Sequence, residues 1–265
     1  MTDVGAPTNA GGSDADDAAV AQTFYGRWAR LYDAIATLPG VGSWRARAVE
    51  ALELDPGDTA VEMGCGTGAN LPYLRERVGP EGTVVGIDFT RGMLDRARVR
   101  VERAGWENVH LVRGDATRPP VGGGIEDVGG GVDGVGNGIE GAGDEGDATS
   151  DGVDAVLASF VVGMLADPEG TVGGWFTLLN SGGRLGLLDA ARSSQMRALP
   201  IDAVFRLFVV ATAPPTTRLR YPEPPWQRLD ERVAAARRPL ADLAVDRRHE
   251  TFALGFVRLT SGRVP

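Results

Sequence analysis

The spacing of hydrophobic positions changes period along this chain. Short apolar runs at 58–63, 83–88, 108–113, 153–159 and 184–189 alternate with helical spacing near 69–78, 91–104 and 168–180. Short runs bounded by turn residues read as buried strands, and their alternation with helices predicts a parallel sheet covered on both faces. Helical spacing also precedes the series, at 18–38 and 42–53, where Phe24, Trp28, Leu31, Tyr32 and Ile35 form one apolar stripe. After the fifth strand the pattern shifts to an apolar helix at 199–212, a Pro-rich turn at 214–225 and a helix at 226–238. Residues 243–261 then read as two strands, the second over 251–259. Two late strands joined by a tight turn predict an antiparallel edge. The fold class is therefore α/β: a doubly wound, Rossmann-like, mostly parallel seven-stranded sheet with an antiparallel edge strand and helices on both faces.

Two segments fall outside this pattern. Residues 1–17 are small, polar and acidic and are expected to form a disordered tail, which leaves 18–265 as a single domain. Residues 121–152 are rich in Gly and Asp and carry little apolar mass between two strand patterns, so a flexible surface insertion is expected there. The segment lacks the strict nonapeptide period of a calcium-binding repeat.

Charge sharpens the same division. The formal net charge is −9 and every Lys/Arg position is arginine. Four acids lie in residues 1–20 and eight in residues 122–152, neither of which holds an arginine. The rest of the chain is thus slightly basic, and from Arg184 onward fourteen arginines face eight acids. The single cysteine, Cys65, excludes an intrachain disulfide, and no metal-ligand cluster is visible. The first twenty residues lack the features of a signal peptide, and no run reaches the ~18 apolar residues of a membrane span. A cytoplasmic protein is expected, peripheral to a membrane at most.

Candidate chemistry concentrates at 60–70, Ala-Val-Glu-Met-Gly-Cys-Gly-Thr-Gly-Ala-Asn. A strand ends in Glu62 and enters a turn with Gly64, Gly66 and Gly68, where the backbone can turn tightly and a ligand can approach the main chain. This is a nucleotide-cofactor loop at the first strand-to-helix crossing. Gly64-x-Gly66-x-x-Ala69 formally fits a dinucleotide fingerprint, with Asp88 about twenty residues on. Glu62, however, is poorly placed beside a pyrophosphate and well placed beside a ligand bearing an amino group and a sulfonium. Asp88 closes the second strand, where it can accept both ribose hydroxyls, and Asp115-Ala116 ends the third, where an adenine edge could be read.

These stretches together resemble the class I S-adenosylmethionine-dependent methyltransferases over roughly residues 22–261, the insertion excepted. Glu62-Met-Gly-Cys-Gly-Thr-Gly68 is similar to their first motif, Gly86-Ile-Asp88-Phe-Thr-Arg-Gly-Met93 to their second and Gly114-Asp115-Ala116 to their third. The resemblance implies S-adenosyl-L-methionine as cofactor, held by Tyr32, Glu62, Gly64, Cys65, Gly66, Gly68, Asp88, Phe89, Met93, Asp115, Ala116 and Ser159. In that reading Asp88 takes the ribose, Phe89 and Met93 flank adenine, Asp115 meets its amino group, and Ser159-Phe160 lies at the methionine end. Within the family, Phe24-Tyr25-Gly26-Arg27-Trp28-Ala29-Arg30-Leu31-Tyr32-Asp33 and the ending Gly262-Arg263 are similar to the ubiquinone/menaquinone-biosynthesis methyltransferases. Small-molecule and phospholipid methyltransferases share the amino-terminal pattern and stay open as alternatives.

A sulfonium donor needs alignment more than acid-base help, so no catalytic residue is named. The expected substrate is a hydrophobic small molecule beneath an apolar lid at 195–225, with transient contact to an anionic membrane surface. No motif for a flipped base follows the fourth strand, which disfavours a nucleic-acid partner. Cys65 is expected to be a packing residue rather than a nucleophile, and His110 and His249 to be structural. Asp189, at the end of the fifth strand, either faces the acceptor or caps the next turn.

Overall fold

The computed structural model describes residues 40–121, 152–195, 199–212 and 224–265. The tail at 1–17, the first helical pattern, most of the insertion and the Pro-rich turn lie outside the described residues. Within them the order is α1 (Val41–Glu50), β1 (Thr59–Met63), α2 (Leu71–Val78), β2 (Thr83–Asp88), α3 (Arg91–Ala104), β3 (Val109–Arg113) and β4 (Val153–Ser159). There follow α4 (Pro168–Phe176), β5 (Leu179–Ala190), α5 (Leu199–Thr212), α6 (Pro225–Ala236), α7 (Arg238–Leu243), β6 (Val245–Phe252) and β7 (Val257–Arg263).

The strands form one seven-stranded sheet in the order β3-β2-β1-β4-β5-β7-β6. All neighbours among the first five strands pair in parallel, whereas β7 runs antiparallel to both β5 and β6. The predicted class is therefore present, with the reversed strand second from the margin and β6 outside it. Strands β1, β2 and β4 are almost wholly buried, as expected of strands covered on both faces. One layer packs Ala48, Val49, Leu71, Leu74 and Ala97 of α1, α2 and α3 against Ala60, Val84 and Leu157. The other packs Val172, Trp175, Val233, Ala236 and Leu240 of α4, α6 and α7 against Val61, Ile87, Val156 and Leu187. Alternate strand residues supply the two layers, the period-2 geometry of a pleated strand.

Several boundaries differ from the sequence pattern, three of them with a visible cause. Helix α4 starts on Pro168 behind Asp167, whose side chain accepts from the Gly170 N–H, and ends at Phe176 rather than 180. Strand β5 is longer than 184–189 because the chain pairs Leu179 with Val153, then shifts register before Arg184 meets Ala155. The apolar run 251–259 is not one strand: Ala253, Leu254 and Gly255 all take positive φ, at 49°, 55° and 86°, and break it into the end of β6 and the start of β7. Only Gly255 announces that turn in the sequence; two further residues in the left-handed region carry strain.

The ordering sends the chain outward from β1 to β3 and then back to β4. The point of reversal, between β1 and β4, is where open sheets of this kind leave a crevice above the carboxyl ends of their strands. The glycine turn opens there.

Candidate functional site

Strand β1 delivers Glu62 one residue before its end, pointing into the α1–α2 layer, with 1% of its surface exposed. Its Oε1 accepts a 2.6 Å hydrogen bond from Asn70 Nδ2, while Oε2 is buried and has no partner among the described residues. Burial pushes this carboxyl up to about 8; the Asn70 bond and the Arg45 guanidinium pull it back, and Asp88 adds to the rise. Asn70 also donates to Ser159 Oγ at 2.9 Å and accepts from Arg45 Nη1 at 2.8 Å. Four groups from α1, β1, β4 and the entry of α2 thus form one buried chain.

The turn after β1 has positive φ at all three glycines, each for its own reason. A Cβ on Gly64 would overlap Val161 Cγ2, and one on Gly68 would come within 2.7 Å of Leu71 Cδ1. A Cβ on Gly66 would meet nothing within 4 Å, so this position opens onto free space. The amide hydrogens of the turn are largely engaged within the protein. Cys65 donates to Ile87 O at 2.8 Å, Gly66 to Asp88 Oδ2 at 2.9 Å and Gly68 to Cys65 O at 2.9 Å. Cys65 is buried, its thiol is pushed up by burial, and its Sγ fills the space where Gly86 lacks a side chain.

Asp88 ends β2 and joins the turn to the next helix. Its Oδ2 takes the Gly66 N–H and its Oδ1 the Thr90 N–H at 2.8 Å, and burial raises its carboxyl against those bonds. Phe89 beside it is 45% exposed, while Met93 is buried in the first turn of α3. Gly114 donates to Asp88 O at 3.1 Å, which brings the end of β3 alongside. Asp115 accepts there from Thr117 N at 2.8 Å, and Ala116 O accepts from Trp175 Nε1 at 2.8 Å. Glu62, the glycine turn, Asp88, Phe89, Asp115, Ala116 and Ser159 therefore share the carboxyl edge of β1 to β4. Tyr32 lies outside the described residues.

Arg45 and Asn70 escaped the sequence reading. Asn70 could have been found, since it directly follows the glycine turn, but it reads there as an ordinary helix start. Nothing in the sequence ties Arg45, 25 positions upstream, to Asn70. Phe160 takes φ 60° with its N–H on Leu188 O at 2.7 Å, and the Arg45 guanidinium lies 5.5 Å from its ring centre.

A dinucleotide needs free backbone N–H groups turned toward its pyrophosphate. Here three of the turn's N–H groups are engaged and two carboxylates flank it, an arrangement suited to a phosphate-free, cationic adenosine ligand. Residues 60–128 match a family model described as a methyltransferase domain. Over this stretch the chain carries a methyltransferase domain. A demethylmenaquinone methyltransferase from Desulfitobacterium hafniense is 34% identical over 112 residues, 41% of this chain and 44% of that protein. A 2-phytyl-1,4-naphtoquinone methyltransferase from Thermosynechococcus vestitus is 37% identical over 102 residues, 37% of this chain and 44% of that one. The chain thus spans under half the length of these two curated relatives. In fold it is similar to a crystal structure of an S-adenosylmethionine-dependent methyltransferase from Aquifex aeolicus, with TM-score 0.52 and 16% identity over 83% of this chain and 89% of that one.

The methyltransferase domain makes Gly66 informative. Gly66→Ala is expected to cost the fold only about 1 kcal/mol, for a side chain at φ 56°. Its Cβ would stand in the open space above the turn, so cofactor affinity should fall by roughly tenfold. Thermal melts and titration calorimetry on one preparation separate the two effects.

Asp189 does not join the Glu62 group. It projects from β5 into the opposite layer, 3% exposed, and burial pushes it up to about 7 while Arg237 pulls it back. A folded-state value above the unfolded one means stability is greatest below about pH 4 and declines as pH rises toward 7. Asp189→Asn should remove that decline, raising stability by roughly 4 kcal/mol at pH 8 and little at pH 4. Melting temperatures of both proteins across that range check it. His249 lies at the sheet margin, 2.5 Å from Arg237 Nη2 and 3.1 Å from Thr260 Oγ1, and both burial and Arg237 lower it.

Proposed function

We propose that the chain transfers a methyl group from S-adenosyl-L-methionine to a hydrophobic small molecule, a quinone-ring precursor in the first instance. The observation that carries the cofactor assignment is the buried, half-satisfied carboxylate of Glu62 beside a turn three of whose amides are already engaged. When bound, S-adenosylmethionine supplies a methyl already activated by positive sulfur. In this reading Glu62 Oε2 takes the ligand's ammonium, Asp88 the ribose hydroxyls, and Phe89 and Met93 the two sides of the adenine. Asp115 meets the adenine amino group, Ala116 lies alongside, and Tyr32 closes the methionine end. The apolar layers around β4 and β5 keep water from the transfer, which suits a step in which charge disappears.

The names of the two quinone methyltransferase relatives support a quinone acceptor, and the apolar helix α5 supports a greasy one. Leu207 of α5 is 70% exposed, and Met164 and Leu254, at 49% and 43%, lie beyond the ends of β4 and β6. With the arginine excess of this half they suit transient contact with an anionic bilayer, where a prenylated substrate resides. No helix among the described residues is long and apolar enough to cross a membrane. The test is incubation with methyl-labelled donor and a lipid-soluble extract, followed by identification of the labelled product. A methylated quinone ring supports the reading; label on a phospholipid or a polar amine selects the alternative acceptor class.

A further inference from the structure

Arg45 is 8% exposed, reaches Asn70 rather than a carboxylate, and leaves its own Nε buried without a partner among the described residues. A buried arginine normally lies against an acid, because an unpaired guanidinium is expensive to desolvate. Here the acid is one residue further on. Arg45 Nη1 donates to Asn70 Oδ1, and Asn70 Nδ2 donates to Glu62 Oε1 and Ser159 Oγ. An amide has one accepting and one donating end, so the direction of this chain is forced. Turned over, Asn70 would point its NH2 at the guanidinium, donor against donor in a buried place, and against an ionised Glu62 its oxygen would be repelled as well. The Phe160 ring, 5.5 Å from the guanidinium carbon, helps fix Arg45 in position.

We propose that Arg45 is a positioning residue for the cofactor: through Asn70 it fixes which oxygen of Glu62 is engaged and which is presented to the ligand's ammonium. The inference rests on the proposed function above. It adds that the site's anion is set from α1, outside the glycine turn.

The charged groups around Glu62 make the role measurable. Asn70 at the entry of α2 supports its ionised form by hydrogen bonding, Arg45 of α1 favours that form by its charge, and Asp88 of β2 opposes it. Arg45 is itself held down by burial and by Arg100 of α3, and supported by Glu62 and by Tyr73 of α2. A cationic ligand binds the ionised Glu62. Below about pH 8 the free protein must therefore release a proton on binding, and affinity should rise with pH toward that value. Removing the guanidinium moves this carboxyl higher still, so affinity at pH 7 falls about tenfold and the rise shifts to higher pH.

Calorimetric titration of the full chain with S-adenosylhomocysteine, from pH 6 to 9, tests this on the wild type, Arg45→Gln and Arg45→Lys. The expected result is a pH profile displaced upward in Arg45→Gln and largely restored in Arg45→Lys, which keeps a cation in α1. A purely structural arginine would lower the melting temperature in both variants and leave the pH profile unmoved. Coincident profiles for the wild type and Arg45→Gln overturn the inference while leaving the proposed function standing. A wild type that does not bind S-adenosylhomocysteine overturns both. Should Arg45→Gln fail to fold, Arg45→Lys decides alone: the planar guanidinium that donates to Asn70 Oδ1 and lies over Phe160 gives way to a shorter ammonium, so affinity falls several-fold with the profile nearly in place. Unchanged affinity there overturns the inference.

Discussion

Glu62→Gln is expected to abolish useful cofactor binding while leaving the protein folded. The substituted side chain retains an oxygen for the Asn70 Nδ2 bond, so the buried chain from Arg45 stays connected. The second position changes sign: an NH2 group replaces the bare Oε2, and a donor then points at a donor. Breaking one partner of a buried charge pair costs about 3–5 kcal/mol, equivalent to at least a hundredfold in affinity. Stability should move the other way. The wild-type carboxyl titrates near 8 when folded and near 4.5 when unfolded, so its ionisation weakens the fold progressively between those values. The amide does not ionise, and the variant's melting temperature should exceed the wild type's most clearly above pH 8. Lost binding with gained stability would be hard to obtain from general damage. Calorimetry and thermal melts at pH 8.5 check both halves; equal affinity in the two proteins would remove Glu62 from the site.

Trp175→Ala is expected to give the largest loss of stability, about 4 kcal/mol. Trp175 is the largest fully buried side chain among the described residues, and belongs to the core cluster that α4 shares with β1, β2 and β4. Its removal forfeits the apolar burial and leaves a cavity that surrounding strands cannot readily fill. The indole also donates to Ala116 O at 2.8 Å, so the loop after β3 loses its tether to the core. Cofactor affinity should therefore fall as well, though the residue lies a layer away from Glu62. Trp175→Phe separates the contributions: most of the volume stays, the hydrogen bond goes, and the cost drops to about 1–2 kcal/mol. Chemical denaturation of the three proteins gives the ranking; a Trp175→Ala protein as stable as the wild type would contradict the account of this layer.

Much of this can be read from the chain because β1, β2 and β4 are buried on both faces. That makes their apolar runs continuous and their alternation with helices plain. The glycine turn is legible for a related reason: Gly64 and Gly68 must lack a side chain to avoid Val161 and Leu71, so sterics wrote them into the sequence. The β6–β7 turn is not legible, because Ala253 and Leu254 adopt left-handed conformations that their side chains do not advertise. The bridge Arg45–Asn70–Glu62 is invisible for a different reason. It joins residues 25 and 8 positions apart through a tertiary contact, and a buried arginine within a helical pattern looks like any exposed one. Asp189 stands out in the sequence only as an acid closing an apolar strand. Its direction follows from the pleat and from Arg237, which only the folded chain brings near.

The most direct test of the central claim is a crystal structure of the full chain soaked or grown with S-adenosylhomocysteine, with NAD in a parallel experiment. The account predicts the homocysteine amino group against Glu62 Oε2, the ribose hydroxyls against Asp88, and the adenine between Phe89 and Met93. A dinucleotide settled over Gly66 with its pyrophosphate on the turn, or an adenosine ligand bound away from both acids, would contradict it.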